Sequence, residues 1–187
     1  MNIIVKNNYL YIDEFRLKCA VGTNGVKKNK IEGDGTTPSG TFKLGQLFYR
    51  KDRVFKPECS LLTSYIEKNY GWCDDPRSKF YNRLIKIKNS NLFLFEKLFR
   101  KDQKYDLIIL IEYNYSNTIK NKGSAIFIHL TKNYHPTRGC ITLKKKDFII
   151  LCKLINSKTK IKIYWFLFPN ILDPILKYVD PYFNAFK

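Results

Sequence analysis

The sequence predicts a mainly β domain with one or two short helices. Hydrophobic residues make up 44% of the 187 positions and aromatic residues 16%, with many Ile, a composition that packs a core and favours strands. Apolar and polar residues alternate over several short segments, the period of half-buried strands. Helical spacing is clear in one stretch near residue 150. The length suits one domain with one core, expected over residues 1–164.

The elements follow in order. The first twenty residues alternate loosely and read as a hairpin. Gly33-Asp34-Gly35-Thr36-Thr37-Pro38-Ser39-Gly40 is a dense cluster of turn formers, and Thr41 to Leu44 alternates as a strand leaving it. Residues 50–90 look irregular, punctuated by Pro57, Gly71 and Pro76, and carry Trp72 and Tyr81 as a folded active-site or binding loop. Tyr105 to Ile111 is a strand apolar on both faces, and Ala125 to Leu130 is another. Phe148, Leu151, Cys152 and Ile155 give Lys144 to Ile155 a helical stripe, with Asp147 suiting its N-terminal dipole. Thr159 to Tyr164 alternates as a closing strand. Residues 165–187 change character: aromatic residues broken by Pro169, Pro174 and Pro181 read as an arm packed on the core, or as a segment touching a membrane surface.

Charge narrows the partners less than it first suggests. The net charge of +18 invites a polyanion, but 27 of the 34 basic residues are lysines scattered along the chain, whereas specific phosphate and base recognition favours arginine. Nucleic-acid binding with an inert cysteine is therefore the second reading. Five cysteines (19, 59, 73, 140 and 152) form no C-x-x-C pair, and two histidines make no zinc site, so neither metal nor other cofactor is expected. Four of the cysteines read as buried small hydrophobes or free thiols. The N-terminus offers no secretory signal pattern, and the longest apolar runs are far short of a membrane span.

Chemistry concentrates in Ile126 to Ile141. A strand delivers His129, a loop with Pro136 and Gly139 turns, and Cys140 begins the next apolar element. A thiol becomes a nucleophile when a base and positive charge favour its thiolate. His129 is the candidate base and Arg138 the candidate charge. Gly139 lets the backbone turn so that amides of Arg138, Gly139 and Cys140 can face an oxyanion. A Cys and a His eleven residues apart are also compatible with simple structure.

The motifs carry more than the pair. His129 followed by Thr137-Arg138-Gly139-Cys140-Ile141 resembles the His…Ser/Thr-x-Gly-Cys-aliphatic signature of the YkuD-type L,D-transpeptidases. Gly35 to Phe42 resembles that family's Thr-Pro-x-Gly-x-Phe turn. Gly71-Trp72-Cys73-Asp74-Asp75-Pro76 with Tyr81-Asn82-Arg83, then Tyr113-Asn114, then Gly123 to Phe127, resemble one branch of it. These matches run in order from about residue 20 to residue 163.

The resemblance implies a β-sandwich or flattened barrel and a two-step acyl transfer on peptidoglycan stem peptides. Cys140 would be the nucleophile and His129 the base, oriented by a backbone carbonyl such as that of Leu130. The amides of Arg138, Gly139 and Cys140 would form the oxyanion hole. It implies a periplasmic or cell-envelope location. Arg138 stands where many members carry a second His, Thr142 where many carry Arg or Asn, and the His-to-Cys loop is short. Trp72, Asn82, Arg83 and Thr137 are the expected substrate-binding residues. Arg83 suits a carboxylate clamp or, alternatively, an ion pair with Asp74 or Asp75; Trp72 and Tyr81 read first as loop core. His135 is expected at the surface. Water in place of an amine acceptor would give an L,D-carboxypeptidase or endopeptidase.

Overall fold

Period-two alternation of apolar side chains sets up the sheet that dominates the molecule. The computed structural model describes residues 2–88 and 93–165. In it β1 (Asn2–Lys6), β2 (Tyr9–Ile12) and β3 (Phe15–Lys18) form an antiparallel meander, one strand more than the expected hairpin. Asn7 and Asn8 turn the first pair at φ of 51° and 60°, a backbone that asparagine tolerates. The turn cluster contributes β5 (Thr37–Pro38), paired with β4 (Val26–Lys27), and leads into the ten-residue β6 (Gly40–Tyr49).

Around β6 lie β7 (Thr63–Tyr65), β11 (Leu107–Ile111) and β14 (Lys160–Ile163); β12 (Phe127–Leu130) and β13 (Ile141–Leu143) continue outward from β11. The order is β13-β12-β11-β6-β14-β1-β2-β3, with β7 alongside β6. The last strand in sequence thus lies inside the sheet, parallel to β1. Ala20, just past β3, bridges Thr142 of β13, whose N–H donates to the Ala20 carbonyl at 2.9 Å. The sheet is therefore mainly antiparallel, curled and nearly closed, as the resemblance implied.

Inward side chains from these strands form one core with Phe148, Leu151 and Cys152 of α1 (Lys145–Leu154), the expected helix. A second core sits on the outer face of β6, β11 and β12, where Phe48, Ile108, Leu110 and Phe127 meet Trp72 and Leu98. It is covered by a small sheet of β8 (Tyr70–Cys73), β9 (Leu84–Lys86) and β10 (Phe95–Lys97), ordered β10-β8-β9. Residues 50–90 are thus partly a strand-built cap. These three strands are short and set among turns, so no alternation separates them from loop in the sequence.

The register also sorts charge. The outward positions of β6, β14, β1, β2 and β3 carry Lys43, Lys160, Lys162, Lys6, Arg16 and Lys18, interleaved with Tyr9 and Tyr11 and without a carboxylate. Among the described residues, no helix is long and apolar enough to cross a membrane. Beyond the exposed Trp165, the expected C-terminal arm lies outside the described residues.

Candidate active site

Alternation along β12 sends Ile128 and Leu130 into the main core and Phe127 and His129 to the capped outer face. β13 runs parallel to β12, with Ile128 level with Ile141 and His129 level with Thr142. Continuing that register sets Cys140 level with Phe127, on the same face as His129 and two residues back. Strand spacing and rise put the His129 and Cys140 Cα atoms about 8 Å apart, within the combined reach of the two side chains.

Each of the two has a defined partner. His129 Nδ1 lies 3.0 Å from the carbonyl of Leu130. A carbonyl only accepts, so Nδ1 carries the proton and Nε2 keeps its lone pair. The Tyr105 ring packs edge-on against the imidazole at 5.1 Å between centroids. Burial, against the pull of the Leu130 carbonyl, holds the imidazole down to about 4, so it is neutral near pH 7. The Cys140 Sγ donates to the Ala125 carbonyl at 3.2 Å. Burial and then the Glu96 charge push this thiol up to about 12, outweighing the Phe127 amide, the Lys30 charge and the Tyr105 hydroxyl. The resting pair is therefore neutral thiol and neutral imidazole, not the thiolate expected from a nearby positive charge. Arg138, expected to supply that charge, is exposed to screening solvent; its field falls on Asp74 and Glu96, and Lys30 is the cation acting on Cys140.

The loop is knit by Thr137 and Thr37. Thr137 Oγ1 donates to the Cys140 carbonyl at 2.6 Å and accepts the Gly139 N–H at 3.0 Å. Thr37 Oγ1 donates to the Gly139 carbonyl at 2.8 Å and accepts the Gly22 N–H. Gly139 sits at φ 144°, and a Cβ there would lie 2.7 Å from the Thr36 carbonyl. The Thr-Pro turn and the Gly-Cys turn, a hundred residues apart, are thus one packed unit. The Gly139 amide is already spent inside it, leaving those of Arg138 and Cys140 to the expected oxyanion hole. Thr137, expected at the substrate, has its hydroxyl engaged within the loop.

Other expected substrate contacts also face inward. Trp72 and Asn82 are each 1% exposed, and the indole Nε1 donates to Asn82 Oδ1 at 2.9 Å. Asn82 Oδ1 also accepts the Ala125 N–H, while Nδ2 donates to the carbonyls of Tyr113 and Asn114. Ala125 is thereby held at φ 52°, a costly conformation for alanine, with its carbonyl on the Cys140 thiol. Both side chains are thus enclosed behind the Ala125 turn. Arg83 pairs with neither Asp74 nor Asp75: it donates to the Asn82 carbonyl and Thr118 Oγ1 and lies 4.6 Å over the Tyr115 ring. Asp75 is taken by Arg77. His135 is exposed.

Sequence reasoning assigned no role to Lys30, Glu96 or Tyr105. Tyr105 donates to Glu96 Oε1 at 2.6 Å. Two buried oxygens lack a partner among the described residues, Asp74 Oδ1 and Thr142 Oγ1, the latter in register with His129. Such orphans are unusual enough to mark a place where something polar can bind. All five cysteines are free.

The model of the YkuD family, described as the L,D-transpeptidase catalytic domain, matches residues 3–163. The chain belongs to the YkuD family. Among solved structures, this YkuD chain is similar to the helical cell shape determining protein Pgp2 from Campylobacter jejuni, at 17% identity over 87% of this chain and 46% of that one, with a TM-score of 0.46. It is also similar to an L,D-transpeptidase from Mycobacterium smegmatis, at 11% identity over 88% of this chain and 58% of that one, with a TM-score of 0.38. It spans about half the length of the structures it matches. No curated protein matches it.

Proposed function

We propose that this YkuD domain is a cysteine acyltransferase acting on peptidoglycan stem peptides, an L,D-transpeptidase that cross-links them in the cell envelope. The observation that supports it most is the register that sets His129 of β12 and Cys140, the residue before β13, on one face, with the Leu130 carbonyl fixing the imidazole tautomer a base requires.

In this reading Cys140 Sγ–H passes its proton to His129 Nε2 as sulfur attacks a stem carbonyl carbon. The carbonyl π pair moves to oxygen, which faces the Arg138 and Cys140 amides. Collapse breaks the C–N bond; the leaving amine takes the proton from His129 and a thioester remains. An amine of a neighbouring stem then attacks, gives its proton to His129, and the departing thiolate recovers it. One amide is broken and one is made, so no ATP is needed. Water in place of that amine gives the carboxypeptidase outcome. Arg83 is half-buried and remains the candidate to meet a stem carboxylate.

The test is mass spectrometry of the full chain incubated with purified muropeptides or a carbapenem. An acyl adduct on Cys140 is expected, absent in Cys140→Ala and formed at least a hundredfold more slowly in His129→Ala. An adduct on a different cysteine would sink the assignment.

A second reading, nucleic-acid binding with an inert cysteine, draws on the basic outer face of β6, β14 and β1 to β3. It predicts DNA affinity falling steeply with salt. It gives no reason for a tautomer-locked histidine on the same strand face as the thiol.

A further inference from the structure

Lys30 is 2% exposed, an unusual place for a lysine. Its Nζ donates to Asp34 Oδ1 at 2.8 Å and reaches the Ile31 carbonyl at 3.4 Å. Asp34 is itself saturated: the Ile31 N–H, the Thr36 N–H and Thr36 Oγ1 all donate to it. Burial raises its pKa, but these donors and Lys30 outweigh that and hold it well below the usual carboxylate range. The ammonium carries three protons, and two have partners here.

What lies beside the ammonium is the Cys140 loop. A Cβ at Gly139 would sit 3.5 Å from Lys30 Nζ. On its other side the lysine stem passes Gly123, at φ 97°, where a Cβ would be 2.8 Å from Lys30 Cε. Two glycines thus make room for one buried lysine against the two loops that hold Cys140 and the carbonyl its thiol meets. The turn that carries Asp34 continues into Thr37, which bonds the Gly139 carbonyl.

We propose that Lys30 is the supporting cation of the Cys140 site: its buried ammonium, held behind Gly139 by Asp34, stabilises the negative charge carried by the sulfur and by the acyl oxygen during acylation. The inference rests on the acyl-transfer reading above. It answers two features of the site. The Gly139 amide is consumed by Thr137, so an oxyanion there has one backbone donor fewer. Arg138 is exposed and screened, so the fixed positive charge must come from within. The other groups facing the thiol are Glu96 from β10, whose charge opposes the thiolate, the Tyr105 hydroxyl, and the neutral His129 of β12.

The experiment is alkylation of Cys140 by iodoacetamide from pH 6 to 10, localised by mass spectrometry, beside acylation by a carbapenem. It uses the full chain, Lys30→Arg, Lys30→Gln and the double variant Lys30→Met/Asp34→Asn, which removes both members of the buried pair. Thermal melting selects the neutral variant that folds. That variant is expected to move the alkylation profile up by about one pH unit, a tenfold slower reaction at fixed pH, and to slow acylation by about tenfold or more. Lys30→Arg should recover much of both. A folded neutral variant with both rates within twofold of wild type would make Lys30 a structural staple and overturn the proposal. If no acyl donor modifies wild-type Cys140, the acyl-transfer reading falls, while the alkylation profile still decides whether Lys30 supports the thiolate.

Discussion

His129 and Cys140 share one face of two parallel strands yet hold different partners at rest: Nδ1–H donates to the Leu130 carbonyl at 3.0 Å, and Sγ–H donates to the Ala125 carbonyl at 3.2 Å. The imidazole is already in the tautomer that the proposed base needs, with Nε2 unprotonated. In the proposed reaction the thiol first exchanges that acceptor for the imidazole. Keeping both groups neutral avoids burying an unstabilised ion pair. In the proposed reaction a negative charge then develops only as substrate arrives.

The buried imidazole makes stability depend on pH in a stated direction. His129 takes a proton near pH 6.5 when unfolded but only near 4 when folded, so the unfolded chain binds the proton first on acidification. Its contribution is complete above about 6.5 and is lost as pH falls towards 4, at up to about 1.4 kcal/mol per unit. Urea unfolding at pH 7 and pH 5 should show wild type losing about 2 kcal/mol more than His129→Gln. Equal losses in the two proteins would mean that the imidazole is not buried neutral.

Asn82 separates positioning from substrate contact. Its side chain bonds Trp72, Ala125, Tyr113 and Asn114, and Asn82→Ala would orphan several buried groups at once. The expected cost is about 2–4 kcal/mol, read as a lower melting temperature, with kcat falling because the Ala125 carbonyl is no longer fixed. A variant with raised KM and unchanged melting temperature would show instead that Asn82 touches substrate.

How far the sequence could be read is itself informative. The helix over Lys145–Leu154 was legible from its apolar stripe, and β11 and β12 from the unbroken apolar runs that contain them. The cap sheet was not, since β8 to β10 are three or four residues each and pair only with one another. His129 and Cys140 were legible as residue types, and the motif order supplied their pairing. Lys30 and Asp34 were not: they are four apart in a polar turn, where lysine and aspartate are ordinary, and only the fold shows that the Lys30 side chain is buried behind Gly139. Trp72 and Asn82 stood out as residues, but burial decides what a polar or aromatic side chain can meet, and sequence does not give burial in irregular loops.

Two glycines in the same motif region should respond differently to alanine. At Gly139, φ 144° and a Cβ contact of 2.7 Å with the Thr36 backbone carbonyl combine strain with collision. At Gly33, φ is 77° and nothing lies within 4 Å of a Cβ. Gly33→Ala should therefore cost only the left-handed conformation, about 1 kcal/mol, with acylation intact. Gly139→Ala should cost several times more and abolish Cys140 acylation, because the loop must shift to admit the methyl group. Comparable melting temperatures for the two variants would contradict the close packing of the two turns.

Thr142 offers the sharpest separation of stability from activity. Its Oγ1 is buried, lacks a partner among the described residues, and stands level with His129 on the neighbouring strand. An orphaned buried hydroxyl costs about 1–3 kcal/mol, and valine has nearly the same shape with a higher preference for strands. Thr142→Val should therefore raise stability by about 1 kcal/mol, measured by urea unfolding. If the hydroxyl serves the site, meeting the imidazole or the substrate once the thiol has turned, the same variant acylates more slowly at every substrate concentration. A more stable protein with slower chemistry is the expected pair of results. A variant that gains stability and keeps its full acylation rate would reduce Thr142 to an unfilled position in the sheet.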